Sequence, residues 1–141
     1  MPLPLVVLDA SAALALLLVE EEGARVAEVL ENTISRNGQI FVPGVFWYEV
    51  GNGLLAAERR KRLSGEQLTT VEELFSRLPV VTHALADATS LRAVHELARK
   101  HGLSFYDASY LELALRSQAS LITCDAHLTA LRGAYPRLLT P

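Results

Sequence analysis

The chain has 141 residues, half of them hydrophobic and 21% charged, with a formal net charge of -3 and a pI near 5.8. That is a globular profile, which excludes a disordered chain, and the length fits one domain over residues 1–141. The single cysteine, Cys124, excludes an internal disulfide and a cysteine-based zinc cluster, and the charge balance carries no overall nucleic-acid signature. No Lys or Arg precedes Arg25, and the apolar stretch from Ala12 to Val19 is too short to cross a bilayer. Neither a leader nor a membrane span is therefore expected, and the cytoplasm is the expected compartment.

Leu5-Val6-Val7-Leu8, bounded by Pro2 and Pro4, reads as a short strand buried on both faces, and it ends in Asp9-Ala10-Ser11. A carboxylate at that point is costly unless something positive or hydrogen-bonding meets it. The carboxyl ends of strands in open α/β sheets are also where ligands bind, so Asp9 is a candidate site residue, with helix capping as the ordinary alternative. A helix is predicted from Ala10 to about Glu20, capped by Asp9 or Ser11, and a second from Gly23 to about Arg36. Glu20-Glu21-Glu22 between them reads as solvation of the first helix's end.

Asn37-Gly38 predicts a turn, Gln39-Ile40-Phe41-Val42 a second strand, and Pro43 the start of a long helix to about Arg62. At about 100° per residue, Glu49 falls beside Val45, Gly53 and Ala56, inside the arc that continues through Phe46 and Val50. A free surface glutamate belongs opposite that arc, and Asn52 sits near the same edge, so a polar notch interrupts a core-facing surface. Trp47 and Tyr48 flank Glu49 and read as core or dimer packing. Arg59-Arg60-Lys61-Arg62 closes the helix, where positive charge complements the helix dipole.

Ser64 with Gln67 forms a capping-box pattern that opens the next helix. Leu78 to Val81 reads as a third strand, and Ala84 to His101 as a helix stopped by Gly102. Ser104 opens a further helix with Asp107 at its third position, a Ser-x-x-Asp cap pattern. Ser120 to Thr123 reads as a strand delivering Asp125, which also suits the cap of a short helix, and Arg137 to Thr140 as a last strand. Strands alternating with helices predict a three-layer α/β/α sandwich on a mostly parallel five-stranded sheet. His83, His95, His101 and His127 share no metal-ligand spacing and read as structural, while Arg92, Arg99 and Lys100 read as a solvated face.

Carboxylates gathered from separate elements repel one another unless a cation sits among them. Oxygen ligands without paired His or Cys call for a hard cation, Mg²⁺ or Mn²⁺, which points to chemistry on phosphate esters.

Four segments in order resemble the PIN-domain family. Val7-Leu8-Asp9-Ala10-Ser11 is similar to its opening strand, acid and hydroxyl. Pro43 through Phe46, with Glu49, Val50 and Asn52, is similar to its second motif. Leu103-Ser104-Phe105-Tyr106-Asp107-Ala108 is similar to the third, and Leu121-Ile122-Thr123-Cys124-Asp125 to the fourth. Size and the arginine-bearing second-motif helix are most similar to the VapC toxins. The resemblance implies an Mg²⁺- or Mn²⁺-dependent endoribonuclease with Asp9, Glu49, Asp107 and Asp125 as its acidic pocket. It implies Asp9 and Asp107 as direct metal ligands. Asp125 and Glu49 act through metal-bound water or complete a second metal site, and Ser11, Asn52 and Thr123 support the carboxylates. It further implies an RNA substrate, a homodimer and a small antitoxin whose arginine replaces metal charge; Arg59, Arg60, Lys61 and Arg62 then form a wall for RNA phosphates. Competing readings are a PIN fold that grips RNA or protein without cutting, and a PIN nuclease of housekeeping RNA processing. A phosphatase of the haloacid-dehalogenase type is disfavoured because the second acid it needs is replaced by Ser11.

Overall fold

The computed structural model describes residues 3–85 and 87–139. β1 (Leu5–Leu8) buries Val6, Val7 and Leu8 and is paired in parallel on both sides. Val6 lies opposite Ile40 of β2 (Gln39–Pro43), and Val7 opposite Leu121 of β4 (Ser120–Ile122). β3 (Val80–His83) pairs with β2, and the two-residue β5 (Leu138–Leu139) with β4, so the order is β3-β2-β1-β4-β5 with every pairing parallel. Central parallel strands are covered on both faces, which is why β1 is a continuous apolar run rather than an alternating one. The expected last strand residue, Thr140, lies outside the described residues.

Seven helices cover this sheet among the described residues: α1 (Ala10–Leu17), α2 (Gly23–Ser35), α3 (Val45–Arg59), α4 (Gly65–Ser76), α5 (Ala88–His101), α6 (Phe105–Ser117) and α7 (Ala126–Thr129). α2 packs on β1 and β2, and α6 on β1, β2 and β4. Right-handed crossovers place these two helices on opposite faces, which makes the three layers. None of the described helices is long and apolar enough to cross a membrane.

The predicted caps form where their chemistry demands. Ser64 and Gln67 make both bonds of the capping box, and Gly102 takes the left-handed conformation (φ 64) that ends α5. Several boundaries differ from the sequence reading; α3, expected to reach about Arg62, ends at Arg59 before Lys61 turns left-handed (φ 60), and β4 ends at Ile122 rather than Thr123. α1 stops at Leu17 because Val19 turns left-handed (φ 54) before Glu20 is reached. Pro43 stays in β2, paired with His83, and α3 starts two residues later. β3 begins after Pro79, which has no N–H for the ladder. α5 begins at Ala88 because Asp87 supplies its cap, accepting from the Ser90 N–H at 2.9 Å.

Two features of this frame place the candidate acids. The chain runs from β1 to β2 and β3, then returns past β1 to β4 and β5, so the strand order reverses between β1 and β4. A crevice opens at the carboxyl ends of strands at such a switch point, and Asp9 follows β1 while Asp125 follows the end of β4. α3 also lies close against α1, because a Cβ at Gly53 would overlap the Leu14 side chain. Glu49, one turn before Gly53 on the same face, is thereby carried toward the start of α1.

Candidate active site

Asp9 is 3% exposed, and its backbone N–H donates to the Ile122 carbonyl at 3.1 Å, continuing the β1–β4 ladder past the last strand residue. It occupies the N-cap position of α1, yet its carboxylate makes no capping bond, contrary to the sequence reading. Oδ2 instead accepts from Ser11 Oγ at 2.5 Å and Thr123 Oγ1 at 2.6 Å. Those hydroxyl oxygens in turn accept from the Cys124 N–H (2.9 Å) and the Asp125 N–H (3.0 Å). Ser11 and Thr123 therefore both donate hydrogen bonds to the Asp9 carboxylate. Burial pushes the Asp9 carboxyl up to about 6; the two hydroxyls pull it down, and the charges of Glu49 and Asp107 add to the rise.

Glu49 is half-buried, and its Oε1 accepts from Tyr110 Oη at 2.7 Å. Burial raises its pKa, the Tyr110 bond lowers it, and the charges of Asp107 and Asp125 raise it again. Tyr110 lies fully buried on α6, one turn beyond Asp107, and burial followed by its bond to Glu49 holds the phenol protonated as a donor. Asp107 sits in the first turn of α6, where its N–H donates to Ser104 Oγ at 3.0 Å. Burial and then the charge of Asp125 raise its carboxyl, against smaller opposing effects of Ser104 and His127.

Asp125 is the N-cap of α7, with Oδ1 accepting from the N–H groups of His127 (2.8 Å) and Leu128 (3.1 Å). The His127 ring stands exposed with Nδ1 3.7 Å from the same oxygen. One ligand atom each of Asp107, Asp125 and His127 lie within 4.8 Å of one another. Asp9 is not part of that trio. Two carboxylates and an imidazole at this spacing fit a divalent cation, with Mg²⁺ favoured by the oxygens and Mn²⁺ tolerating the nitrogen.

The remaining polar residues divide clearly. Asn52 is exposed on α3 and lines a groove of about 340 Å³ with Val45, Tyr48, Glu49 and Tyr106, without a hydrogen bond to the carboxylates among the described residues. Trp47 packs edge-on against Phe46 and Phe75 and donates from Nε1 to Thr82 Oγ1 at 2.8 Å, but it is 41% exposed and so sits at the rim of the core rather than within it. Tyr48, by contrast, is 81% exposed. Arg62 is committed to Glu20 at 2.6 Å. Arg59 lies ten residues along α3 from Glu49, roughly 15 Å by helical rise. Burial, and then the charges of Glu22 and Asp9, push the Cys124 thiol up to about 11, so it is no nucleophile at neutral pH.

Two site residues escaped the sequence reading. Tyr110 had a signal: a tyrosine on the buried face of a helix needs a partner for its hydroxyl. His127 had only its nearness to Asp125, and the turn that brings it beside Asp107 is visible only in three dimensions.

Residues 6–134 match the family model of the PIN domain. The chain belongs to the PIN-domain family. It is 34% identical over 139 residues to Ribonuclease VapC3 of Pyrobaculum aerophilum, covering 96% of this chain and 98% of that one. It is 33% identical over 133 residues to Ribonuclease VapC12 of Mycobacterium tuberculosis, covering 92% and 93%. Among solved structures, a Pyrobaculum aerophilum protein superposes with TM-score 0.63 at 27% identity, over 90% of this chain and 78% of that one. VapBC2 from Rickettsia felis, bound to a promoter DNA fragment, matches in fold with TM-score 0.62 at 16% identity over 97% of each chain.

Two predictions follow from the buried acids. The folded state holds the Asp9 proton more tightly than the unfolded chain, so Asp9 opposes folding increasingly as pH rises from about 4 through 6. In chelator at pH 8, Asp9→Asn is expected to raise stability by about 1–3 kcal/mol, the range set by a two-unit shift less the cost of burying an amide. At pH 4 the gain should vanish; urea denaturation at both values measures it, and an equal effect at both would contradict the assignment. Tyr110→Phe removes the bond that lowers the Glu49 pKa, so the acid limb of any activity profile should move to higher pH. An unmoved limb would show that Glu49 does not govern it.

Proposed function

We propose that this protein is a divalent-metal-dependent endoribonuclease, acting as the toxin of a VapBC-type toxin–antitoxin pair. The observation that carries the reading is the convergence of Asp9, Glu49, Asp107 and Asp125 on the sheet's switch-point crevice, where burial and neighbouring negative charge raise the carboxyls of Asp9, Glu49 and Asp107. Membership of the PIN family and likeness to two VapC ribonucleases across nearly the whole chain support it.

Asp107 and Asp125 would hold the metal, with His127 in reach and Asp9 nearby adding negative charge to the same crevice. When bound, the ion lowers the pKa of a coordinated water and neutralises charge on the phosphate. Glu49, its Oε1 fixed by Tyr110, takes the proton of the attacking water at Oε2; burial raises its carboxyl above the ordinary value and so strengthens it as a base. Water attacks phosphorus in line, the P–O3′ bond breaks and the departing O3′ takes a proton from solvent, so the products carry a 5′-phosphate and a 3′-hydroxyl. Exposed Arg59, Arg60 and Lys61 contact RNA phosphates further along the strand. A homodimer and a cognate antitoxin complete the reading, an antitoxin arginine taking the place of metal charge among the carboxylates. The cytoplasm is the proposed compartment.

Purified protein should cut total RNA in Mg²⁺ or Mn²⁺ and stop in chelator. Asp107→Asn should lower the rate by roughly 100-fold or more while circular dichroism stays native, a loss of the size seen when one transition-state charge partner is removed. Undiminished cleavage in chelator or by Asp107→Asn would overturn the reading.

A further inference from the structure

At the amino ends of the strands, away from the acids, the described residues line a cavity of about 840 Å³. Its floor includes Leu5 at the start of β1, four residues before Asp9, so roughly 13 Å of extended strand separates the two. One wall is a stripe of α2 at helical spacing, Arg25, Glu28, Asn32 and Arg36, and Arg137 comes from just before β5. The chain has 16 Asp and Glu against 13 Lys and Arg, yet three guanidinium groups here meet a single carboxylate. That carboxylate, Glu28, is spent on Arg25 at 2.8 Å. Arg137 donates one N–H to the Gln118 carbonyl and keeps its other donors, and the Arg36 side chain has no hydrogen bond or ion pair among the described residues. Arg36 suits the C-terminal end of α2, but Arg25 sits in its first turn, against the helix dipole. The needs of the fold do not account for this convergence, and like charges gathered round a cavity call for an anion.

We propose that this cavity binds a nucleoside polyphosphate, its phosphates gripped by Arg36 and Arg137 and its base lying against Leu5 and Val29 beside the Asn32 amide. A guanidinium presents paired donors that match phosphate oxygens, and two of the three here are available for them. The volume is far more than inorganic phosphate fills and falls in the range of small-molecule sites, roughly 300–1,000 Å³. Leu5 and Val29 give an apolar surface to the part of the ligand that carries no charge. The phosphates of a nucleic acid share the same chemistry, but a long strand runs across a surface, whereas a cavity of this size closes around a small molecule. None of Asp9, Glu49, Asp107 and Asp125 lines the cavity, so the inference stands apart from the ribonuclease reading.

The test is calorimetric titration of the full chain with ATP in chelator, where no metal ion carries phosphates to the acids. ATP should bind the parent, and Arg36→Ala should weaken binding about tenfold, the size of losing one hydrogen bond to a charged group. Arg36→Lys should recover part of the loss. Arg137 also holds the Gln118 carbonyl, so its role is read from Arg137→Lys, with thermal unfolding as the check on its fold; weaker binding at unchanged stability is expected. Cleavage of total RNA in Mg²⁺ should be the same in Arg36→Ala as in the parent. No ATP binding by the parent, or equal binding by Arg36→Ala, would overturn the inference. Inorganic pyrophosphate binding as tightly as ATP would also overturn it, since the base then contributes nothing. So would a 5′-phosphorylated RNA hairpin that binds more tightly than ATP and loses affinity in Arg36→Ala, which assigns the cavity to a nucleic acid. A parent that binds ATP through Arg36 and cuts no RNA would contradict the ribonuclease reading and leave this site standing.

Discussion

One oxygen of one buried carboxylate fastens three parts of the molecule. Asp9 Oδ2 accepts from Ser11 at the start of α1 and from Thr123 at the end of β4, and both hydroxyls are themselves held by backbone N–H groups of the β4–α7 connection. The Asp9 N–H is meanwhile spent on the Ile122 carbonyl, which fixes the backbone from which this side chain projects. Two hydroxyl bonds do not offset the burial. With Glu49 and Asp107 nearby, the group ionises only at about pH 6, and the fold carries an electrostatic penalty at neutral pH.

Such a penalty is stable in a fold only when the surroundings over-determine the geometry, and here they do. β1 is clamped between β2 and β4, α3 is drawn against α1 through the missing side chain at Gly53, and Tyr110 reaches from the buried face of α6 to Glu49. Each contact that stabilises the sandwich also brings one more negative group to the same crevice. The fold stores repulsion where a divalent cation would relieve it, the common arrangement of stability given up at a working site.

Much of this was legible in the sequence because the relevant signals are local. Apolar runs ending in an acid marked β1 and β4, and the Ser64–Gln67, Gly102 and Ser104 caps marked helix ends. Helical phase alone put Glu49 on the inward arc. What escaped depends on contacts distant in sequence. An aspartate after a strand and before a helix looks like a cap, and Asp125 is one; Asp9 is not, because its oxygen is held by Ser11, two residues on, and by Thr123, 114 residues along the chain. Trp47 and Tyr48 are neighbours of similar character, yet a helix turns them by about 100°, so one meets Phe75 and the other meets water.

The central claim is that these carboxylates are held apart in charge until a divalent ion joins them. Calorimetric titration with Mn²⁺ at pH 6, in two buffers of different ionisation enthalpy, reads both the ion and the protons it displaces. Binding that releases a fraction of a proton per site at pH 6, shrinking toward none at pH 8, is the expected result. No binding, or binding at pH 6 without proton release, would contradict it.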